Sequence, residues 1–182
     1  MSRITGLDLS LASTGIARIV DGRGHVDRVR SAGHNGDTLG ARQHRLHAIA
    51  STVCARARLS DLVVIESPAY SRTQGAAHDR SGLWWLIVNH LIRHHVPVAE
   101  VPPSVRAKFA TGRGNAGKDE VLAAVIKRYP DVDVTGNDEA DALTLAAMGA
   151  LHLGVPLTGA IPVTADQARI VAVQRWPERV GA

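Results

Sequence analysis

Hydrophobic and polar positions change their period several times along the chain, and each change marks an element. Residues 3–9 (RITGLDL) alternate and predict a first strand, with Asp8 near its end. A second strand begins at Gly15 (GIARIVD), and HVDRVRS at 25–31 reads as a third. Glycines at 15, 22 and 24 in the short gaps predict an antiparallel meander. Residues 39–58 place Leu39, Leu46, Ile49, Ala50 and Val53 on one helical stripe. The unbroken apolar run from Leu62 to Ile65 fits a strand buried on both faces; Glu66 ends it and Pro68 stops it.

Residues 69–82 are polar and contain glycine, which predicts a mobile loop. Residues 83–95 (LWWLIVNHLIRHH) form a strongly apolar helix, and VPVAEVPP a short strand closed by prolines. Residues 104–118 are Gly-rich and basic. Helices are predicted over 119–129 and 138–152. Beyond 153 the pattern weakens, and Thr164 with Gln167 suggests a capping box for a short helix through Trp176. The order β-β-β-α-β-α-β-α-α predicts one α/β domain. Its mixed sheet would join an antiparallel meander to two parallel strands, with helices on the faces. The expected division is a domain over 1–152 and an extension over 153–182 that is not a separate domain.

Composition narrows this picture. The 182 residues suffice for one ordinary domain, and 45% are hydrophobic. Aromatic residues are only 3%, so the core must come from Val, Ile, Leu and Ala. The net charge of +4 points weakly toward an anionic partner such as nucleic acid. One cysteine, Cys54, excludes an intramolecular disulfide. No leader opens the chain and no apolar run approaches the ~20 residues of a membrane span. The expectation is a soluble protein with no membrane partner, located in the cytoplasm.

The candidate chemistry lies in the acids. Asp8 and Glu66 end apolar strands, where open sheets place their sites. Asp138 and Asp141 are three apart at a helix start and share a face. Capping accounts for Asp138 and Glu139 taken alone, since acids favour a helix N-terminus. The combination of all four changes the balance. Converging carboxylates repel unless protonated or bound to cations, and oxygen-only ligation selects magnesium or manganese. Two such ions serve phosphodiester hydrolysis. Glu139 projects about 100° around the helix from Asp138, which suggests a structural role.

GLDLSLASTGIA, LVVIESP, KFATGRGNAGKDEV and NDEADALTLA resemble the four signature blocks of the RuvC-type Holliday junction resolvases. These belong to the RNase H-like (retroviral integrase) superfamily. The resemblance covers residues 3–152 and suggests a divergent or phage-type member in a bacterial or phage-infected cell. It implies an RNase H-like fold and a metal-dependent endonuclease of recombination and repair. Such an enzyme resolves four-way DNA junctions by paired nicks with 5′-phosphate and 3′-hydroxyl ends. It implies Asp8, Glu66, Asp138 and Asp141 as ligands of two magnesium ions, with manganese as a substitute. Lys118, with Lys108, would assist near the scissile phosphate. Tyr70 stands near the place of the family's aromatic residue after the strand-end glutamate.

The basic residues supply the expected DNA contacts: Arg72 and Arg80 around the 69–82 loop, and Arg106, Lys108, Arg113 and Lys118 along the Gly-rich segment. His90 and His94 lack the glutamate of HExxH and are read as packing residues, as are His44 and His47. Adjacent Trp84 and Trp85 both bury only if their helix is covered on two sides, which a homodimer interface provides. That symmetry also suits a junction with two equivalent strands. No Walker A pattern is present, so no nucleotide cofactor is expected. Other readings are a nuclease for RNA, RNA–DNA hybrid or other branched DNA, an actin-like ATPase for which the chain is too short, and a DNA binder without catalysis.

Overall fold

In a computed structural model the chain is described over residues 1–68 and 74–178. Five strands run Arg3–Asp8 (β1), Ser13–Val20 (β2), Arg23–Arg30 (β3), Leu62–Glu66 (β4) and Val98–Val101 (β5). Six helices span Leu39–Ala57 (α1), Gln74–Arg93 (α2), Pro103–Thr111 (α3), Lys118–Arg128 (α4), Asn137–His152 (α5) and Ala165–Ala172 (α6). The sheet order is β3-β2-β1-β4-β5. The meander is antiparallel, and β4 and β5 run parallel to β1, so the mixed five-stranded sheet expected from the pattern is present.

The two faces of the sheet bury separate cores. On one side Leu7, Ile16, Val63 and Ile65 pack against α1 and α2 through Ile49, Val53, Leu83, Ile87 and Leu91. On the other, Ile4, Ile19, Leu62 and Val64 meet α5, which is itself covered by α3, α4 and α6. A helix covered on all sides must be apolar all round. Accordingly α5 is buried from Glu139 to Ala150. Two glycines let it lie flat on the strands: a Cβ on Gly6 would fall 2.1 Å from the carbonyl oxygen of Ala142, and one on Gly15 would fall 1.9 Å from that of Asp138. Gly15, expected at a turn, is a close-approach position inside β2.

Several expectations are corrected. Residues 74–82 belong to α2 and not to a loop. Arg42 on α1 grips Asp79 there, donating from Nε to Oδ2 at 2.9 Å. The first half of the Gly-rich segment is α3: Pro103 sits in its first turn, where a missing N–H costs nothing, and Gly112 ends it at φ 83°. Leu39 is 78% exposed and outside the α1 core stripe, while Ile49, Ala50 and Val53 are buried. Trp84 is buried but Trp85 is 62% exposed.

The weak tail past α5 contains α6 with the capping box of Thr164 and Gln167, although the helix ends at Ala172 and not at Trp176. Gln167 Nε2 donates to the carbonyl oxygen of Phe109 at 2.9 Å, capping the end of α3 from another element. Trp176 stacks on His152 with ring centroids 4.3 Å apart. No helix among the described residues is long and apolar enough to cross a membrane.

Candidate active site

Register brings the first two acids together. β1 and β4 pair in parallel with Leu7 opposite Ile65, so the next residues, Asp8 and Glu66, leave the sheet side by side. Side chains alternate along a strand. Leu7 and Ile65 face α1 and α2, and therefore Asp8 and Glu66 face α5.

The start of α5 supplies the other two. Asp138 and Asp141 sit one turn apart above this end of the sheet, with Asp141 buried and Asp138 half-buried. The loop before them is tied down by Glu139. Its Oε2 accepts from Thr135 N at 2.7 Å and Thr135 Oγ1 at 2.9 Å, and its Oε1 pairs with Arg28 Nε at 2.9 Å. The structural role expected of Glu139 is what its contacts describe.

The β4 end is pinned from the opposite face. Trp84 Nε1 donates to the carbonyl oxygen of Glu66 at 3.0 Å, and Ser67 N to that of Val101 at 3.0 Å. The turn after Asp8 closes on itself, Thr14 Oγ1 donating to the Ser10 carbonyl at 2.7 Å.

Arg106 enters from the first turns of α3. Its Nε donates to Glu66 Oε2 and its Nη1 to Asp141 Oδ1, both in short ion pairs. The pattern marked Arg106 only as a DNA contact; it stands among the acids. That placement was hidden because the helix carrying it was read as a Gly-rich segment.

The electrostatics follow from this crowding. Burial, then the charges of Glu66 and Asp141, push the Asp8 carboxyl up to about 8. Asp141 is pushed up to about 6 by burial, with Arg106 opposing and Glu66 adding to the rise. One guanidinium does not balance four carboxylates, so the site favours further cations. Oxygen donors alone suit a hard divalent ion. As they stand, no three His, Cys, Asp or Glu side chains among the described residues are grouped to hold a metal. The donor set fits such an ion in chemistry, with Arg106 lying between two of its members.

The cationic candidates divide. Lys118, exposed at the N-terminus of α4, is near enough for its charge to act on Asp141. Arg80 lines a cleft of about 690 Å³ together with Asp8, Glu66, Ser67, Trp84 and Glu100. Lys108 and Arg113 are exposed on α3 and the segment after it, and Arg113 reaches Glu120 at 3.4 Å. Tyr70 and Arg72 lie outside the described residues. His90 and His94 rest ring against ring, 4.4 Å between centroids.

No protein-family model matches the chain. A crossover junction endodeoxyribonuclease RuvC of Parasynechococcus marenigrum is 31% identical over 153 residues, covering 81% of this chain and 97% of that protein. The chain belongs to the RuvC family. A Synechococcus RuvC is 32% identical over 154 residues, again covering 81% of this chain and 97% of its own. Among solved structures, RuvC of Thermus thermophilus superposes with a TM-score of 0.63 at 19% identity, over 84% of this chain and 97% of that one. The same RuvC in complex with Holliday junction substrate gives 0.62 at 20%, over 84% and 95%. The yeast mitochondrial Holliday junction resolvase Ydc2 gives 0.55 at 11%, over 94% and 79%. These structures share the RuvC fold with this chain.

Proposed function

We infer that the chain is a divalent-metal-dependent endonuclease that resolves four-way DNA junctions. The observation that carries this reading is the meeting of Asp8, Glu66, Asp138 and Asp141 at one end of the sheet in a RuvC-family chain. Relatives named crossover junction endodeoxyribonuclease, and a structural neighbour holding a Holliday junction, support the substrate.

In this reading the four acids are the metal ligands. When bound, two magnesium ions, with manganese as a substitute, supply an activated water and offset charge on the departing 3′ oxygen. The chain's own residues supply position. Paired strands β1 and β4 fix Asp8 beside Glu66, and α5 fixes Asp138 and Asp141 above them. Trp84 holds the backbone carbonyl of Glu66 itself in place. Lys118, close to Asp141 and exposed, meets the scissile phosphate. Lys108, Arg113 and Arg80 meet flanking phosphates, which give affinity and register without sequence information. Arg72 and Tyr70 belong to the same DNA-facing set by sequence. The nicks carry 5′-phosphate and 3′-hydroxyl ends.

The acting unit is a homodimer. Trp85, Asn89 and Ile92 lie at i, i+4 and i+7 on α2, and Trp85 and Ile92 are 62% and 58% exposed. A second copy covering this stripe would place two sites about a twofold axis, matching the two strands a junction presents.

The test is a panel: four-way junction, linear duplex, flap and RNA–DNA hybrid, each with magnesium and with EDTA. Paired symmetric nicks confined to the junction and to magnesium are expected. Equal cutting of the hybrid would replace this reading with a hybrid nuclease.

A further inference from the structure

The Arg106 guanidinium joins two elements that carry the site. Through Nε and Nη1 it bridges Glu66 on β4 to Asp141 on α5. Its side chain is 11% exposed, against 64% for Arg113, so it is not placed as an ordinary surface contact for DNA. Asp8 adds its own attraction to the same group. A planar fork with five donors suits this bridging, since separate nitrogens of one rigid group meet the two carboxylates.

The guanidinium engages one oxygen of each carboxylate, Glu66 Oε2 and Asp141 Oδ1. Their oxygens are donors a hard divalent ion needs, and among the described residues no three acids stand grouped for such an ion while the bridge is in place. Two cations cannot share the gap between the same two carboxylates, because the guanidinium fills it and like charges repel.

We propose that Arg106 is a resident cation that a divalent metal displaces on binding. The proposal rests on the four acids being the metal ligands. With no metal, the bridge holds β4 and α5 together and sets one positive charge against the acids. On metal entry, Glu66 and Asp141 exchange the guanidinium for the ion, and Arg106 swings out of the gap. The apparent affinity for metal is therefore the intrinsic affinity multiplied by the fraction of molecules in which Arg106 has withdrawn. The alternative is a permanent buried bridge, with metal bound only by the remaining acids.

The experiment is Mn2+ binding followed by electron paramagnetic resonance on the wild type, Arg106→Gln and Arg106→Lys, without DNA and therefore without turnover. Arg106→Gln is expected to bind Mn2+ about tenfold more tightly or better, with Arg106→Lys between it and the wild type. Equal or weaker binding by Arg106→Gln overturns displacement and leaves the ligand assignment standing. Absence of Mn2+ binding in every form, the wild type included, overturns both. If circular dichroism finds Arg106→Gln unfolded, Arg106→Lys decides alone: tighter binding than the wild type supports the exchange, and unchanged or weaker binding ends it.

Discussion

Gly15 of β2 and Asp138 of α5 are in backbone contact: a Cβ on Gly15 would lie 1.9 Å from the Asp138 carbonyl oxygen. Gly15 is also the register partner of Asp8. The missing side chain therefore sets the spacing between Asp8 and the acids of α5. Gly15→Ala must lift the start of α5 from the sheet. The expected cost is about 1–3 kcal/mol of stability, as for other overpacked positions. Single-turnover cleavage is expected to fall about 100-fold, since a shift near 1 Å of a catalytic group costs that much. Urea melts and junction-nicking rates check both; nicking at the wild-type rate would contradict the account of how α5 is seated.

The raised carboxyls make a signed statement about pH. Asp8 titrates near 8 in the folded metal-free chain and near 3.8 when unfolded, and Asp141 near 6. Between these values the folded state holds more protons, so these groups remove stability as pH rises from about 4 to about 8. His90, held below its ordinary value by burial, acts in the opposite sense. The useful readout is therefore the difference between wild type and Asp8→Asn in EDTA. At pH 8 the variant is expected to be more stable by on the order of 2 kcal/mol, roughly 4–8 °C in melting temperature, and at pH 4 the two should converge. A variant no more stable at pH 8 than at pH 4, relative to wild type, would remove the burial argument for Asp8.

The exposed stripe on α2 makes a prediction about assembly. Trp85→Glu puts a charge where the second copy is expected to sit, next to the buried Trp84 that it meets edge-on at 4.8 Å. Light scattering at micromolar concentration is expected to find a dimer for the wild type and a monomer for the variant. The variant is also expected to lose simultaneous nicking of both strands while its fold is retained. A dimer of unchanged strength would place the interface elsewhere.

The strands and the acids were readable because both are local signals. Alternation around Leu7, and the run from Leu62 to Ile65, fix which residues face the sheet's two sides. Asp8 and Glu66 then fall at strand ends by simple counting. Asp138 and Asp141 share a face through helical spacing alone. What the pattern hid depends on distant partners. The polar stretch 74–82 is helical because α1 offers Arg42 to Asp79. Arg106 joins the acids because α3 begins immediately after β5 and packs on α5. Gly15 resembles a turn glycine until α5 is laid across it. Leu39 fits the α1 periodicity yet lies before the point where that helix meets the sheet.

The central claim is that these acids carry metal-dependent cleavage, and Asp8→Asn tests it most directly on a synthetic four-way junction with magnesium. Band-shift and nicking assays are run on the same preparation. The account expects symmetric nicks from the wild type, none above background from the variant, and junction binding by the variant at least as tight as wild type. Nicking by Asp8→Asn at the wild-type rate would contradict it.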